Sequence, residues 1–284
     1  MTIRALLTGR KRNLSNPLQL NRDGLLTLCQ TTLAKRRNTI ILHGPPGTGK
    51  SSLAAELAEA LPACTCGEHH AYWVACHPDA MATDIIGGWT PNPDGSGTWQ
   101  YTPGPMLLAW GVTGHPGILI VDDVHEAGPG TRAALYTAFN KKSARHTMPD
   151  GTTVRPHADY WCITTSNEHP DALPAPINDR TYARVFMGEL STAMLDALRP
   201  EIRELAEIDY DGETPNPVAT YREWSAVSEL WTDLTADGHP NALSTAVLLA
   251  MGDKRRAERM IEAMVTAGIP EACQQHMAIL ASKP

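Results

Sequence analysis

The chain has 284 residues, of which 42% are hydrophobic, and it carries a formal net charge of −7. This length and composition exclude a disordered chain and allow two modest domains, while the acidic balance argues against a wholesale nucleic-acid or membrane surface. No apolar stretch reaches the roughly 18 residues that span a bilayer, and the N-terminus lacks the apolar region of a signal peptide. We therefore expect a cytoplasmic protein without a membrane partner, in which the cysteines are reduced.

The predicted elements alternate between helices and strands up to about residue 189. In chain order they are a helix over 22–36, the strand NTIILHG, the helix SSLAAELAEALPA, the strand AYWVAC, the helix MLLAWGV, the strand GILIVDD, the helix TRAALYTAFNKK and the strand DYWCITTSN. This alternation predicts a parallel sheet covered by helices on both faces. From about Leu190 only helical patterns follow, beginning with STAMLDALRPEIRELAEI. We therefore predict an α/β core over residues 1–189 and an all-helical domain over 190–284.

A complete phosphate-binding motif, G-x-x-x-x-G-K-[ST], lies between the first strand and the helix that follows it. In such a loop the glycines let the backbone N–H groups surround phosphate oxygens at a helix N-terminus. Lys50 is expected to reach the β- and γ-phosphates, and the Ser51 hydroxyl is expected to ligate Mg²⁺. A Gly/Pro turn that happens to carry a lysine is the alternative. The predicted nucleotide-binding residues are Gly44, Pro45, Pro46, Gly47, Thr48, Gly49, Lys50, Ser51 and Ser52.

The strand GILIVDD ends on two adjacent carboxylates, Asp122 and Asp123. Such carboxylates repel each other and resist burial, so a cation or hydrogen-bond donors should lie beside them. In a phosphate-loop fold this strand lies next to the loop, and a Mg²⁺ ion held by Ser51 and Asp122 would supply the positive charge. Asp123 would then orient or deprotonate the attacking water.

These motifs resemble those of AAA+ ATPases over nearly the whole chain, and more narrowly those of the MoxR branch, which includes CbbQ/NorQ-type proteins. GPPGTGKS is similar to the Walker A motif of that family and ILIVDD to its Walker B motif. The segment at about 84–105 resembles the insert in the second helix of the branch, and the segment at about 146–157 resembles its pre-sensor-1 hairpin. The resemblance implies an α/β P-loop AAA+ core with a parallel sheet flanked by helices, a C-terminal helical lid, and ATP with Mg²⁺.

The same resemblance implies roles for further polar residues. Asn167 matches the sensor-1 position, and either Arg180 or Arg184 in LPAPINDRTYARV matches the arginine finger. Arg222 in TYREWSAVS matches sensor 2, although the usual proline before it is missing. Surface ion pairs are the alternative for each arginine. An arginine finger reaches a neighbour's nucleotide, so this assignment requires a homo-oligomer, a hexameric ring or a spiral.

Two further departures from the family pattern bear on chemistry. Asp123 stands where the family usually has glutamate, which predicts slow hydrolysis because the side chain is one methylene shorter. Glu126, one turn further on, is a possible substitute for it.

The segment CTCGEHH offers Cys64, Cys66, His69 and His70 as zinc ligands, with spacings that differ from those of zinc fingers. A loose loop is the simpler interpretation of that segment.

The leading functional hypothesis is an ATPase that remodels a protein client. Trp89, Trp99 and Tyr101 of the insert are either contact residues for that client or packing residues within the insert. Many proteins of this branch act with a von Willebrand factor A partner, so such an adaptor is implied by the resemblance. No segment recognises a substrate by itself, which indicates a separate partner.

Two other functions remain open at this point. A nucleic-acid-associated motor or loader would use the basic residues around the second hairpin, although the acidic balance makes nucleic acid an unlikely partner. These residues are Lys141, Lys142, Arg145 and Arg155. A nucleotide-dependent scaffold that scarcely hydrolyses ATP is the other alternative, and it follows from the aspartate at position 123.

Overall fold

The computed structural model describes residues 24, 27, 29, 39–61, 64, 66–140, 143–188, 190, 192–209 and 218–274. Gly24, Thr27 and Cys29 of the predicted helix over 22–36 are described, and all three are helical. Lys141 and Lys142 lie outside the described residues. None of the helices in the described ranges is long and apolar enough to cross a membrane.

The central feature of the fold is a five-stranded sheet in the order β2-β5-β8-β1-β9, in which every neighbouring pair is parallel. Two further strand pairs, β3–β4 and β6–β7, form antiparallel hairpins. The strands are β1 (Thr39–His43), β2 (Ala71–Ala75), β3 (Gly87–Pro91), β4 (Trp99–Pro103), β5 (Ile118–Asp122), β6 (His146–Thr147), β7 (Thr153–Val154), β8 (Trp161–Ser166) and β9 (Ala183–Phe186).

Helices cover the sheet and continue after it. In the described residues they are α1 (Lys50–Ala60), α2 (Ala82–Ile86), α3 (Pro105–Ala109), α4 (Pro129–Ala138), α5 (Ala175–Asn178), α6 (Thr192–Asp196), α7 (Pro200–Asp209), α8 (Tyr221–Ala236), α9 (Ala242–Met251) and α10 (Lys254–Thr266). The predicted mixed α/β fold with a parallel sheet, surrounding helices and C-terminal helices is therefore confirmed.

Alternation along the strands explains how the sheet is buried on both faces. In β1, Ile40 and Leu42 pack into one apolar cluster, while Ile41 packs into another. β1 and β8 are buried along their whole length, which explains their nearly continuous apolar and β-branched sequences. Because all five strands run in the same direction, the carboxyl ends of β1, β5 and β8 lie side by side at one edge of the sheet.

The insert predicted at about 84–105 contains the end of α2 and the β3–β4 hairpin. Two glycines close the base of this hairpin: a Cβ on Gly87 would lie 2.2 Å from the Thr102 carbonyl oxygen, and one on Gly104 would lie 2.5 Å from the Gly87 nitrogen. The segment predicted at about 146–157 contains the short β6–β7 hairpin, which turns at Asp150 and Gly151.

The chain forms two compact units, one that contains the sheet and one that contains the helices from Gly188 onward. The second unit packs around Trp224 and Trp231, both almost fully buried. The single helix predicted for STAMLDALRPEIRELAEI is wrong, since α6 ends before Pro200 and α7 begins at it. A proline tolerates the first turn of a helix but not its interior, because it has no N–H to donate.

Candidate nucleotide-binding site

The loop between β1 and α1 has the backbone that a phosphate cradle requires. Gly49 caps α1 in the left-handed region with φ 82°, and Gly47 has φ 84°. Gly44 has φ 144°, and a Cβ there would lie 2.2 Å from the carbonyl oxygen of Met187. Only glycine fits where the loop leaves β1 so close to another backbone. Within the loop Pro46 lies between these glycines, and Thr48 is almost fully buried.

Lys50 points back into this loop. Its ammonium donates hydrogen bonds to the carbonyl oxygens of Gly44 at 3.0 Å and Pro45 at 2.7 Å, and the residue is 6% exposed. A buried ammonium needs such acceptors because burial without them is costly. The ammonium therefore lies at the N-terminus of α1, where the helix dipole and the free backbone N–H groups favour the binding of an anion. Ser52 follows on the exposed side of α1.

Ser51 and Asp122 are in direct contact. The Ser51 hydroxyl donates to Asp122 Oδ1 at 2.8 Å, and the Thr165 hydroxyl donates to the same oxygen at the end of β8. Strand order explains the contact with Thr165, because β5 and β8 are neighbours in the sheet. Asp122, the last residue of β5, therefore lies between the Ser51 hydroxyl of α1 and the Thr165 hydroxyl of β8. Two hydroxyl donors partly compensate the negative charge of Asp122.

Asp123 and Asn167 also lie together. The backbone N–H of Asp123 donates to Thr165 Oγ1 at 2.9 Å, and the Asn167 side-chain amide donates to Asp123 Oδ1 at 3.3 Å. The Asp123 side chain is 46% exposed, so water reaches its carboxylate. A carboxylate and an amide at the ends of neighbouring strands are groups that can hold a water molecule.

Glu126 faces a different partner. It ends the short 3-10 turn Val124–Glu126, where its carboxylate lies 3.5 Å from His125 Nε2. The other ring nitrogen of His125 lies 4.0 Å from Asp123 Oδ1 and accepts a bond from the Asn167 backbone N–H at 3.4 Å. The imidazole of His125 therefore stands between the two acids that were predicted as alternatives for the same role.

His43, the last residue of β1, is buried beside the loop. Its ring contacts those of His169 and Phe186, with centroid separations of 5.3 and 5.4 Å. Burial, together with repulsion by His169 and Lys50, lowers the pKa of His43 to about 4. The ring is therefore neutral near pH 7 and adds no second positive charge next to Lys50.

Arg180 and Arg184, the two candidates for the arginine finger, are exposed and bound to their own segment. Arg180 donates to the Pro176 carbonyl oxygen at 2.7 Å. Arg184 donates to the side-chain and backbone oxygens of Asn178 at 2.7 and 2.8 Å. Arg184 lies within β9. Arg222 is an exposed residue in the first turn of α8, in the C-terminal unit.

Sequence reasoning missed three residues of this site: Thr165, His125 and His43. The TTSN run at the end of the fourth predicted strand showed hydroxyl groups, but only the strand order places Thr165 against Asp122. His125 lay between two residues already assigned to catalysis, which was a usable signal. The sequence gives no sign that His43 lies beside the phosphate loop and not within the apolar core.

The donor set at the sheet edge fits Mg²⁺. A serine hydroxyl and a carboxylate are hard oxygen ligands of the kind that Mg²⁺ prefers. The Ser51 oxygen has two lone pairs besides its O–H group, so it can ligate a cation while it donates to Asp122. The loop, Lys50 and this pair are therefore the candidate site for a nucleotide phosphate and its metal ion, on the fold of a P-loop ATPase.

Comparison with known proteins identifies the family. Residues 39–185, more than half of the 284 residues, match the AAA domain of the dynein-related subfamily. The chain therefore belongs to the AAA family. Proteins of this family commonly oligomerise and usually bind Mg²⁺ with the nucleotide.

Three curated proteins similar to this chain are described only as uncharacterised proteins. SSP1341 of Staphylococcus saprophyticus is 29% identical over 200 residues, which cover 70% of this chain and 72% of that protein. Rv2897c of Mycobacterium tuberculosis and Mb2921c of Mycobacterium bovis are each 27% identical over 209 residues, which cover 63% of this chain. The match spans only 39% of the length of these two mycobacterial relatives.

Solved structures that are similar to this chain share less sequence identity with it than the curated proteins do. The Thermotoga maritima RuvB Holliday junction branch migration motor is 15% identical with a TM-score of 0.47, and the match covers 81% of this chain and 67% of that one. A candidate ATPase from Cytophaga hutchinsonii is 16% identical with a TM-score of 0.43, and that match covers 89% and 78% of the two chains.

Proposed function

We propose that the protein is a Mg²⁺-dependent ATP hydrolase of the MoxR branch that assembles into a ring or spiral and remodels a protein client. The observation that carries the hydrolase part is the 2.8 Å contact between Ser51 Oγ and Asp122 Oδ1. It brings a hydroxyl from the first turn of α1 and a strand-end carboxylate to one point next to Lys50, which is where a metal-bound triphosphate would need them.

In the proposed mechanism the loop binds the phosphates before hydrolysis. The Lys50 ammonium exchanges the carbonyl oxygens of Gly44 and Pro45 for β- and γ-phosphate oxygens, which are charged and therefore stronger acceptors. Ser51 and Asp122 would hold Mg²⁺, which would supply positive charge beside the phosphates.

The attacking water is held by Asp123 and Asn167 in this proposal. Asp123 is the general base, and the Asn167 amide, which donates to it at 3.3 Å, fixes its orientation. Glu126 is the alternative base, through His125. We propose slow hydrolysis, because the aspartate side chain reaches less far than the glutamate that the family usually carries.

We further propose that residues 1–189 act as the nucleotide-binding core and residues 190–284 as the lid. Arg222 on α8 would contact the nucleotide as sensor 2, and Arg180 or Arg184 of an adjacent copy would complete the site. The exposure of all three arginines supports these roles, because a residue that acts on another copy or on a bound ligand must be accessible.

The β3–β4 hairpin is the proposed contact for the client or for a von Willebrand factor A-domain adaptor. Trp89 and Trp99 are 59% and 62% exposed, and large exposed aromatic side chains are typical of binding surfaces. Tyr101 is less accessible and donates to the Ile86 carbonyl oxygen at 3.2 Å, so it supports the hairpin from within.

The test of the hydrolase proposal is a comparison of single variants of the full chain. We expect Ser51→Ala to lower Mg²⁺-dependent ATP hydrolysis by roughly 100-fold or more, because a ligand of the metal is lost. Nucleotide binding measured in EDTA should change little, whereas Lys50→Ala should lose binding with and without Mg²⁺. Ser143→Ala, which removes an exposed hydroxyl elsewhere, is the matched control.

Two outcomes would contradict the proposal. Hydrolysis by Ser51→Ala at the wild-type rate would show that the hydroxyl has no part in metal binding. Tight Mg·ATP binding by the wild-type protein without measurable hydrolysis would instead favour the nucleotide-dependent scaffold. Parallel measurements with GTP identify the nucleotide, since a phosphate cradle does not read the base.

A further inference from the structure

Two thiols and two imidazoles lie together at the edge of the sheet opposite to the nucleotide loop. Cys64, Cys66 and His70 belong to the segment between α1 and β2, and His115 belongs to the segment between α3 and β5. One sulfur or ring nitrogen atom from each residue lies within 4.8 Å of all the others. β2 and β5 are neighbouring parallel strands, so the segments that lead into them meet at the amino-terminal edge of the sheet.

The distances within this cluster are close to those of a site for a tetrahedral metal ion. Cys66 Sγ lies 3.1 Å from His70 Nε2, and Cys64 Sγ lies 3.9 Å from His115 Nδ1. In a zinc site with two sulfur and two nitrogen ligands, neighbouring ligand atoms are about 3.3–3.8 Å apart. The two observed separations bracket this range, so side-chain rotations are sufficient to place all four atoms around one ion.

The backbone holds three of these residues independently of their ligand atoms. The Cys64 carbonyl oxygen accepts a bond from the Gly67 N–H at 2.8 Å, which closes a tight turn around Cys66. The His70 carbonyl oxygen accepts a bond from the first residue of β5 at 2.9 Å. The His115 carbonyl oxygen accepts a bond from the Tyr72 hydroxyl at 3.2 Å. The fold therefore holds the backbone of these three residues in place.

We propose that Cys64, Cys66, His70 and His115 bind one structural Zn²⁺ ion. Two thiolates and two imidazoles select zinc over the hard cations that suit Ser51 and Asp122, and four protein ligands leave no open position for substrate. No disulfide involves any of the six cysteines, all of which lie in the described residues, so both thiols are available as ligands once they lose their protons.

The ligand set differs from the one that the local sequence offers. His69 directly precedes His70, but it is not a member of the cluster, and His115 takes its place. The ion therefore joins two segments that are distant in sequence. It connects β2, the outermost strand on its side, to β5, the strand that carries Asp122.

Zinc titration of the full chain tests this assignment. After removal of metal with a chelator, Co²⁺ is added first and Zn²⁺ second. We expect one equivalent of Co²⁺ to give the intense visible bands of a tetrahedral site with sulfur ligands, and one equivalent of Zn²⁺ to abolish them. His115→Gln and Cys66→Ser should each lower the Zn²⁺ affinity about 100-fold or more, while His69→Gln should retain the wild-type affinity.

Several results would overturn the proposal. These are the absence of a tetrahedral Co²⁺ spectrum at one equivalent, an unchanged affinity in His115→Gln, and a loss in His69→Gln equal to that in His115→Gln. Binding of Mg·ATP by each variant serves as the check on folding. His115 is exposed, so its substitution keeps the test decisive even if Cys66→Ser does not fold.

Discussion

At the scale of single residues, the backbone of Asp123 explains why this site carries aspartate. Asp123 has φ 52° and ψ 49°, and within the described ranges it is the one residue other than glycine with a positive φ. Aspartate and asparagine adopt this left-handed conformation more readily than longer side chains, because their short polar groups bond locally. Strained conformations of this kind are concentrated at functional sites. Aspartate therefore fits this backbone conformation better than glutamate, but its carboxylate reaches less far toward the proposed attacking water.

Asp123→Asn separates the charge of this residue from its backbone role. Asparagine has nearly the same volume and tolerates the same conformation, so we expect little change in Tm. Loss of the general base should lower kcat by roughly 10²–10⁴-fold, measured by steady-state hydrolysis of Mg·ATP. If Asp123→Asn keeps its turnover while Glu126→Gln loses it, the base is Glu126, acting beside His125.

At the scale of elements, the buried strands were the most predictable part of the fold. The strands β1, β5 and β8 were predicted because a strand buried on both faces has a continuous run of apolar and β-branched residues bounded by turn residues. The contact between Thr165 and Asp122 was not evident, since it depends on the order β5-β8, which local pattern does not encode. For the same reason no spacing rule connects His70 to His115. The left-handed conformation of Asp123 was also not predicted, because aspartate adopts it more readily than most residues but does not require it.

The β3–β4 hairpin has a closely packed base and exposed aromatic side chains. At its base Gly87 has φ 105°, and its Cα lies so close to β4 that a Cβ would overlap the Thr102 carbonyl oxygen and the Gly104 nitrogen. Trp89 packs edge-on against Tyr101 with a centroid separation of 6.1 Å, yet it remains 59% exposed. The hairpin therefore presents aromatic surface above a closely packed base, and a pre-ordered surface loses less entropy on binding a partner.

Removal of both exposed tryptophans tests the role of the hairpin. A tagged Asp123→Asn protein held with Mg·ATP is expected to retain a partner protein from an extract of its own organism. Addition of Trp89→Ala and Trp99→Ala should reduce the retained partner at least about tenfold, as expected for aromatic anchor residues. Trp73→Ala removes a 45% exposed tryptophan from β2 and should leave the capture unchanged. Equal capture by all three proteins would exclude the hairpin as the contact.

At the scale of the whole molecule, the arginine finger proposed for this site would come from an adjacent copy. Lys50, Ser51 and Asp122 lie at the carboxyl edge of the sheet, whereas the guanidinium groups of Arg180 and Arg184 are exposed and bonded to oxygens of their own segment, at Pro176 and Asn178. An arginine that acts on a neighbouring nucleotide needs this combination of exposure and local support. A heterologous contact that repeats around a ring or spiral would supply one such arginine to every site.

Mixing of two inactive variants tests whether the arginine acts between copies. Lys50→Ala inactivates a copy's own site, whereas Arg184→Ala should inactivate only the site of its neighbour. In an equimolar mixed assembly about a quarter of the sites combine an intact lysine with an intact arginine from the adjacent copy, so we expect about that fraction of wild-type hydrolysis to return. The same mixture with Arg180→Ala identifies which arginine is the finger. If co-assembly is demonstrated with differently tagged copies and neither mixture recovers activity, then neither arginine acts across the interface.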